Sequence, residues 1–308
     1  MIVRNKPNAL QLFFIIRGSV VLRVFPQIAF ITLLGAAVAL FQYYYPLLFP
    51  SFTLAPLALL GVVLSLFLGF RNNASYDRWW EARKQWGQLI VHSRSLARQS
   101  VSYIHCHEKA GKKAHQRLIY LTIAFNHALR HQLRKSDPWE DIEKYLKQED
   151  LLLLRKSHNI PDVLLRLMGK QLAICRDKKL VSEFLIPSLD QHLTAMAEVQ
   201  AACERIQSTP IPFAYMLLVQ RTAYLYCFIF PFGIVASQGL VTPFFCAIVA
   251  YTFFGFDALS EELQEPFGLS ANDLALNAMT RSTEINLLET LGETQFPEPI
   301  EAKNHRIE

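Results

Sequence analysis

The sequence predicts an all-α membrane protein with four transmembrane helices in two hairpins, joined to a cytoplasmic helical region. Three observations carry this. Residues 24–70 hold no Asp, Glu, Lys, Arg or His over 47 positions, residues 222–256 do the same over 35, and none of the 31 Lys and Arg residues lies in either run. A bilayer core takes roughly 20 apolar helical residues per crossing, so each run suits an outgoing and a returning helix.

Residues 1–23 carry Arg4, Lys6, Arg17 and Arg23 and read as a cytoplasmic or interfacial lead-in. Their apolar stretch from Leu12 to Ile16 is short and no small-residue cleavage site follows, so no signal peptide is expected. The hairpin at 24–70 is punctuated by Pro46, Pro50 and Pro56, and the hairpin at 222–256 by Gly239 and Pro243, which are the places for the chain to turn back. Two hairpins leave residues 71–221 and the tail 257–308 on the side of the N-terminus. Arg71 to Arg221 holds 24 of the cations, which by the positive-inside bias makes that side cytoplasmic and the membrane the cell (inner) membrane.

No Pro occurs between Leu57 and Asp137, so the second crossing is expected to continue past Arg71 as a cytoplasmic helix. Along it Trp79, Trp86, Ile90, Ala97, Val101 and Ile104 form a candidate packing stripe, with Arg83, Lys84, Arg94 and Arg98 left in water. Ser136, Asp137, Pro138 and Glu140 mark a helix start, since a short acceptor caps free amides and Pro tolerates the first turn. Pro161 with Asp162, and Pro187 to Asp190, precede two more helical patterns. The tail breaks at Pro266 and Gly268, resumes helical spacing near Asn272, and is expected to fray after Phe296.

The net charge of +5 comes from interspersed signs rather than a basic stripe with aromatics, so nucleic acid is not an expected partner. Cys106, Cys175, Cys203, Cys227 and Cys246 are scattered and form no CxxC pair, which points to packing rather than a disulfide frame or zinc. His105 with Cys106 and His107, and His127 with His131, have ligand chemistry but no completing set, and no metal or other cofactor is expected. Asp77, Arg78 and Glu81 read as local ion pairing. No GxSxG elbow, phosphate-binding Gly loop or HExxH pair occurs, so an enzyme is not expected.

Four helices from one chain pack into a filled bundle more readily than around water, so a pore requires several copies about an axis. Val62, Leu66 and Phe70 stand at i, i+4 and i+8, close to one face of the second crossing. Repeated around an axis they would form apolar rings able to gate by dewetting.

The ordered set Leu68-Gly69-Phe70, Arg78-Trp79-Trp80, Thr209-Pro210-Ile211-Pro212-Phe213-Ala214-Tyr215 and Glu265-Pro266-Phe267-Gly268 resembles the bestrophin family. The run Gly69-Phe70-Arg71-Asn72-Asn73-Ala74-Ser75-Tyr76 is similar to its bacterial branch. The resemblance implies a homopentameric ion channel for passive flux of small anions such as chloride, with Val62, Leu66 and Phe70 as the pore neck. It implies a cytoplasmic constriction at Leu180, on the match of Lys179 to Ser182, and allows Arg71 as a pore-mouth charge if it faces the axis. Animal members clasp calcium with acids after the Pro-Phe-Gly element, whereas here Asn272 and Asp273 offer too few oxygens. The alternatives are a monovalent-cation channel of the same fold, a membrane carrier, for which Pro231 and Gly233 are the only suggestive break, or a membrane-anchored binding scaffold. The expected partners are further copies of the chain, membrane lipid and small inorganic ions.

Overall fold

The computed structural model describes residues 1–4, 7, 8, 10, 11, 15, 18–48, 54–106 and 108–308. Lys6, Arg17, Pro50, His107 and all of Leu12 to Ile16 except Ile15 lie outside the described residues. Among those described, regular structure is helical apart from isolated bridges. The helices are α1 (Val21–Tyr44), α2 (Leu54–Tyr103), α3 (Lys109–Arg134), α4 (Trp139–Ile142), α5 (Gln148–Leu154), α6 (Ile160–Asp177), α7 (Ile186–Ser208), α8 (Phe213–Gln238), α9 (Thr242–Gln264) and α10 (Leu276–Thr290). Among the described residues three stretches are long and apolar enough to cross a membrane: Val21–Tyr44, Leu54–Tyr103 and Phe213–Gln264. The third is interrupted by a turn at Gly239–Val241, where Gly239 takes a φ of 54°.

The chain divides into two compact units. One comprises residues 5–79 and 210–266, the other residues 1–4, 80–209 and 267–308, and α2 is shared between them. In the first, α1 packs on α8 and α9. Its core combines Ile31 of α1, Leu64 and Leu68 of α2, Ala223 and Cys227 of α8 and Cys246 of α9. Small residues set the approach of these helices, as expected where dispersion rather than water exclusion drives packing. At Gly61 a Cβ would stand 2.6 Å from the Tyr226 hydroxyl. Pro26 and Pro231 lie inside α1 and α8, a placement that membrane helices tolerate.

In the second unit α3 is the central helix, packed by α6, α7 and α10, with Leu118 to Arg130 wholly inside apart from the half-buried Tyr120. Its buried Asn126 is paired, donating to Thr122 O at 2.9 Å and to Ser93 Oγ at 3.1 Å. Starts expected from Pro are present, with Asn159 accepting from the Asp162 amide at 3.1 Å ahead of α6. The packing stripe of α2 differs from the expected one. Trp86, Ala97 and Ile104 are buried, but Val101 is exposed and the inward face runs through Ala82, Leu89, Ser93, Leu96 and Ser100. The two serines escape an apolar count because hydrogen bonds satisfy them, Ser100 pairing with His115 Nδ1 at 2.8 Å.

The tail also departs from expectation. Instead of fraying, it pairs with the first residues of the chain: Val3 N donates to His305 O at 2.8 Å and Ile307 N to Met1 O at 2.9 Å. Positive φ angles at Asn304 and His305 make the turn that presents those groups.

Candidate functional site

Helix α2 has a buried edge and a bare face. Leu57, Gly61, Leu64, Leu68, Arg71 and Ser75 recur at alternating steps of four and three and are all buried. Val62, Leu66 and Phe70 lie away from that edge and are 58%, 56% and 61% exposed in the single chain. Three large apolar side chains left uncovered on a rigid helix call for lipid, another copy, or a lumen that is not permanently wet.

Arg71 follows directly, but it does not share that exposure. Its side chain is 0% exposed and pairs with Asp257 of α9, whose second oxygen accepts from Gln220 Nε2 at 3.2 Å. A buried guanidinium is stable only when paired, and here Asp257, 186 residues away, supplies the pairing. The cation is therefore neutralised inside the chain instead of standing open beside Phe70. One helical stretch on, Arg78 Nε donates to Gln264 O at 3.1 Å and Glu81 accepts from Lys84 at 2.9 Å, so Arg78 and Glu81 have separate partners.

The turn from Lys178 to Leu185 carries the residue expected at the cytoplasmic constriction. Lys179 takes a φ of 55°, and Leu180 is folded inward at 4% exposure, its carbonyl accepting from His105 N at 2.9 Å. The large apolar group this turn leaves outside is Phe184, 94% exposed.

His127 and His131 serve a buried charge network. Glu284 of α10 accepts from Tyr145 Oη and from Lys144 Nζ at 3.1 Å, forms an ion pair with Arg281 at 3.1 Å, and pairs with His127 Nε2 at 3.2 Å. His131 Nε2 lies 2.8 Å from Asp141, which also accepts from Arg130. Burial alone would raise the Glu284 pKa, but His127, Tyr145 and Arg281 outweigh it and hold the carboxyl down to about 2. The hydrogen bond from His131 is the main cause of the still lower pKa of Asp141.

Around the Pro-Phe-Gly element, Asp273 Oδ2 accepts from Ser270 N at 2.7 Å. Arg134 donates to Phe267 O at 3.2 Å, to Leu274 O at 3.3 Å and to Asn277 Oδ1 at 2.6 Å. The Phe267 and Leu274 carbonyls are thus bonded to a side-chain cation. No group of three or more His, Cys, Asp or Glu residues suited to a metal ion occurs among the described residues.

The family model described as bacterial/fungal bestrophin protein matches residues 1–289. The chain belongs to the bestrophin family. A voltage-dependent anion channel-forming protein of Mesorhizobium japonicum is 46% identical over 95% of this chain and 93% of its own length. One from Escherichia coli K12 is 41% identical over 99% of each. The crystal structure of a bacterial bestrophin homologue from Klebsiella pneumoniae superposes with a TM-score of 0.83 at 37% identity, covering 88% of this chain and all of that one. The Pro-Phe-Gly element of this bestrophin is therefore closed by Arg134, and its α2 face is bare within one subunit.

Proposed function

We propose that this bestrophin is the subunit of a homopentameric channel for passive flux of small anions, chloride among them, across the cell (inner) membrane. In this reading α1, the first part of α2, α8 and α9 make four crossings, occupying residues 24–70 and 222–256. Residues 1–23, 71–221 and 257–308 are cytoplasmic. The observation that carries it is the exposed apolar face of Val62, Leu66 and Phe70 on α2, whose other edge from Leu57 to Ser75 is buried in its own chain. Around a symmetry axis these side chains form the neck, and the turn that carries Leu180 and the exposed Phe184 supplies the second constriction. Two relatives are named as anion channel-forming proteins, which favours anions. With Arg71 neutralised, the positive ring edge of Phe70 is the group left to favour an anion at the neck. No chemical step or cofactor is involved.

The test is conductance of the purified protein in planar bilayers. Substituting Ala at Val62, Leu66 and Phe70 together widens and wets the throat and is expected to raise single-channel conductance. Unchanged currents would return these residues to ordinary packing. Absence of any current from reconstituted wild-type protein would favour a carrier or an anchored scaffold.

A further inference from the structure

We propose that a trough between α1 and α8 seats one anionic phospholipid, with an acyl chain in the trough and its phosphate at Arg221. The inference rests on the reading above that these helices cross the membrane and start at its cytoplasmic face. The trough measures about 660 Å³ and its lining is almost wholly apolar. Gln27, Phe30 and Ile31 of α1 form one wall, and Tyr224, Leu225 and Phe228 of α8 the other. Phe254 of α9 also lines it, its ring centroid 4.7 Å from that of Tyr224. Each wall ends in a cation. Arg23 precedes its wall residues by four, seven and eight positions, and Arg221 precedes its own by three, four and seven, so each lies on the lining side of its helix. Arg23 pairs with Glu261, and Gln220 donates to Asp257 at 3.2 Å, contacts one turn apart on α9 that put both cations at the same end of the trough.

The two cations are not equivalent. Arg23 is neutralised by Glu261, and Asp257, one turn nearer the trough, is held by Arg71. Arg221 is exposed and in no ion pair among the described residues, so the mouth of the trough carries a net positive charge. An apolar channel with one unmatched cation at its end is complementary to an amphiphile bearing a single negative charge. A second protein surface would have to bring a carboxylate of its own to the same point. Arginine suits the phosphate, because its stem lies along apolar surface while the guanidinium takes two oxygens at once. Gln27 supplies a second polar point. It stands one turn, about 6 Å along the axis, inward from Arg23, and its side-chain oxygen is buried without a partner. Turning the amide over presents its N–H groups there instead, towards an ester carbonyl a few bonds from the lipid phosphate. Head, ester and tail thus each meet matching chemistry.

The test reads lipid contact locally and needs no current, so its failure is separate from failure of the channel. Full-length protein carrying Phe228→Trp is reconstituted in bromine-labelled phosphatidylglycerol mixed with unlabelled phosphatidylcholine, and in the converse mixture. Quenching of the added indole is read after subtracting wild type. A preference for phosphatidylglycerol of about fivefold is expected, the scale for one Arg at an anionic lipid surface. Arg221→Gln in the same background should reduce it to near one, and Arg221→Lys should keep most of it. Matched thermal unfolding shows that each variant is folded. Phe244→Trp, at a residue 62% exposed near the other end of α9, is the reference and should be quenched by both lipids alike. The proposal is overturned if the Phe228→Trp reporter is quenched equally by both lipids, or if Arg221→Gln leaves the preference intact. It is overturned too if neither lipid reaches that reporter while the reference is quenched, which would mean that a neighbouring subunit covers the trough. Quenching of neither reporter would overturn the membrane reading as well.

Discussion

Two buried carboxylates show how single residues set the stability of this protein. Glu284 faces Arg281, Lys144, Tyr145 and His127 from inside the second unit, so removing its charge takes from Arg281 and Lys144 the carboxylate they pair with. Glu284→Gln is expected to cost about 3 kcal/mol, the scale for breaking a buried pair, read as a lower denaturation midpoint. Its depressed pKa also gives a pH signature. The contribution is complete above the ordinary 4.5 and is lost as pH falls towards about 2, so wild type should destabilise through that window more steeply than Glu284→Gln. Arg71 and Asp257 give the parallel case. Asp257→Leu leaves a wholly buried guanidinium alone and should cost about 3–5 kcal/mol, while Arg71→Met with Asp257→Leu recovers much of it. If the double variant were as unstable as the single one, the pair would not be the source of the loss. Arg281 stands three residues from Glu284 on one helix, but the pairings of Glu284 with His127 and of Asp257 with Arg71 were not legible in the sequence, because groups 157 and 186 positions apart meet only after the fold has formed.

At the level of elements, most of what was legible came from punctuation and charge-free length. The Pro-free stretch foretold that α2 would run on past Arg71, and it does so for 50 residues. Pro161 and Pro187 fall in the first turns of α6 and α7, where a missing N–H costs nothing. What failed had a common cause: apolar counting misses polar groups that are buried but bonded, such as Ser93 and Ser100, and backbone pairing that carries no side-chain signature, as in the tail on Met1 to Val3. The connection between α2 and α3 offers a sharp test of backbone fit. A Cβ at Gly111 would come within 2.0 Å of the His105 carbonyl oxygen. That oxygen is main chain and cannot swing aside, so Gly111→Ala should destabilise by at least the 1–3 kcal/mol typical of overpacking, about the upper end of that range. Gly169→Ala, where nothing stands within 4 Å, is the matched control and should be neutral or slightly stabilising. Equal loss in both would mean that α3 does not begin against His105.

For the whole molecule, the chain's own packing leaves a question that only assembly answers. Val62, Leu66 and Phe70 were legible as a stripe, but whether a stripe faces lipid or lumen depends on neighbours absent from a single sequence. If the proposed pentamer forms, light scattering on the purified protein should give a protein mass near five times 35.3 kDa after correction for detergent. The selectivity follows from the same arrangement. A neck of apolar rings carries no fixed charge, and Arg71 is held by Asp257, so discrimination should be modest and set by ring edges rather than by a charged filter. Under unequal KCl the reversal potential should shift toward the chloride equilibrium value without reaching it. Arg71→Met with Asp257→Leu should leave it unchanged, because the pair contributes no net charge to the path. A large shift in that variant would place the pair's field in the conduction route, and a wild-type reversal toward potassium would make the channel cation-selective despite its relatives' names.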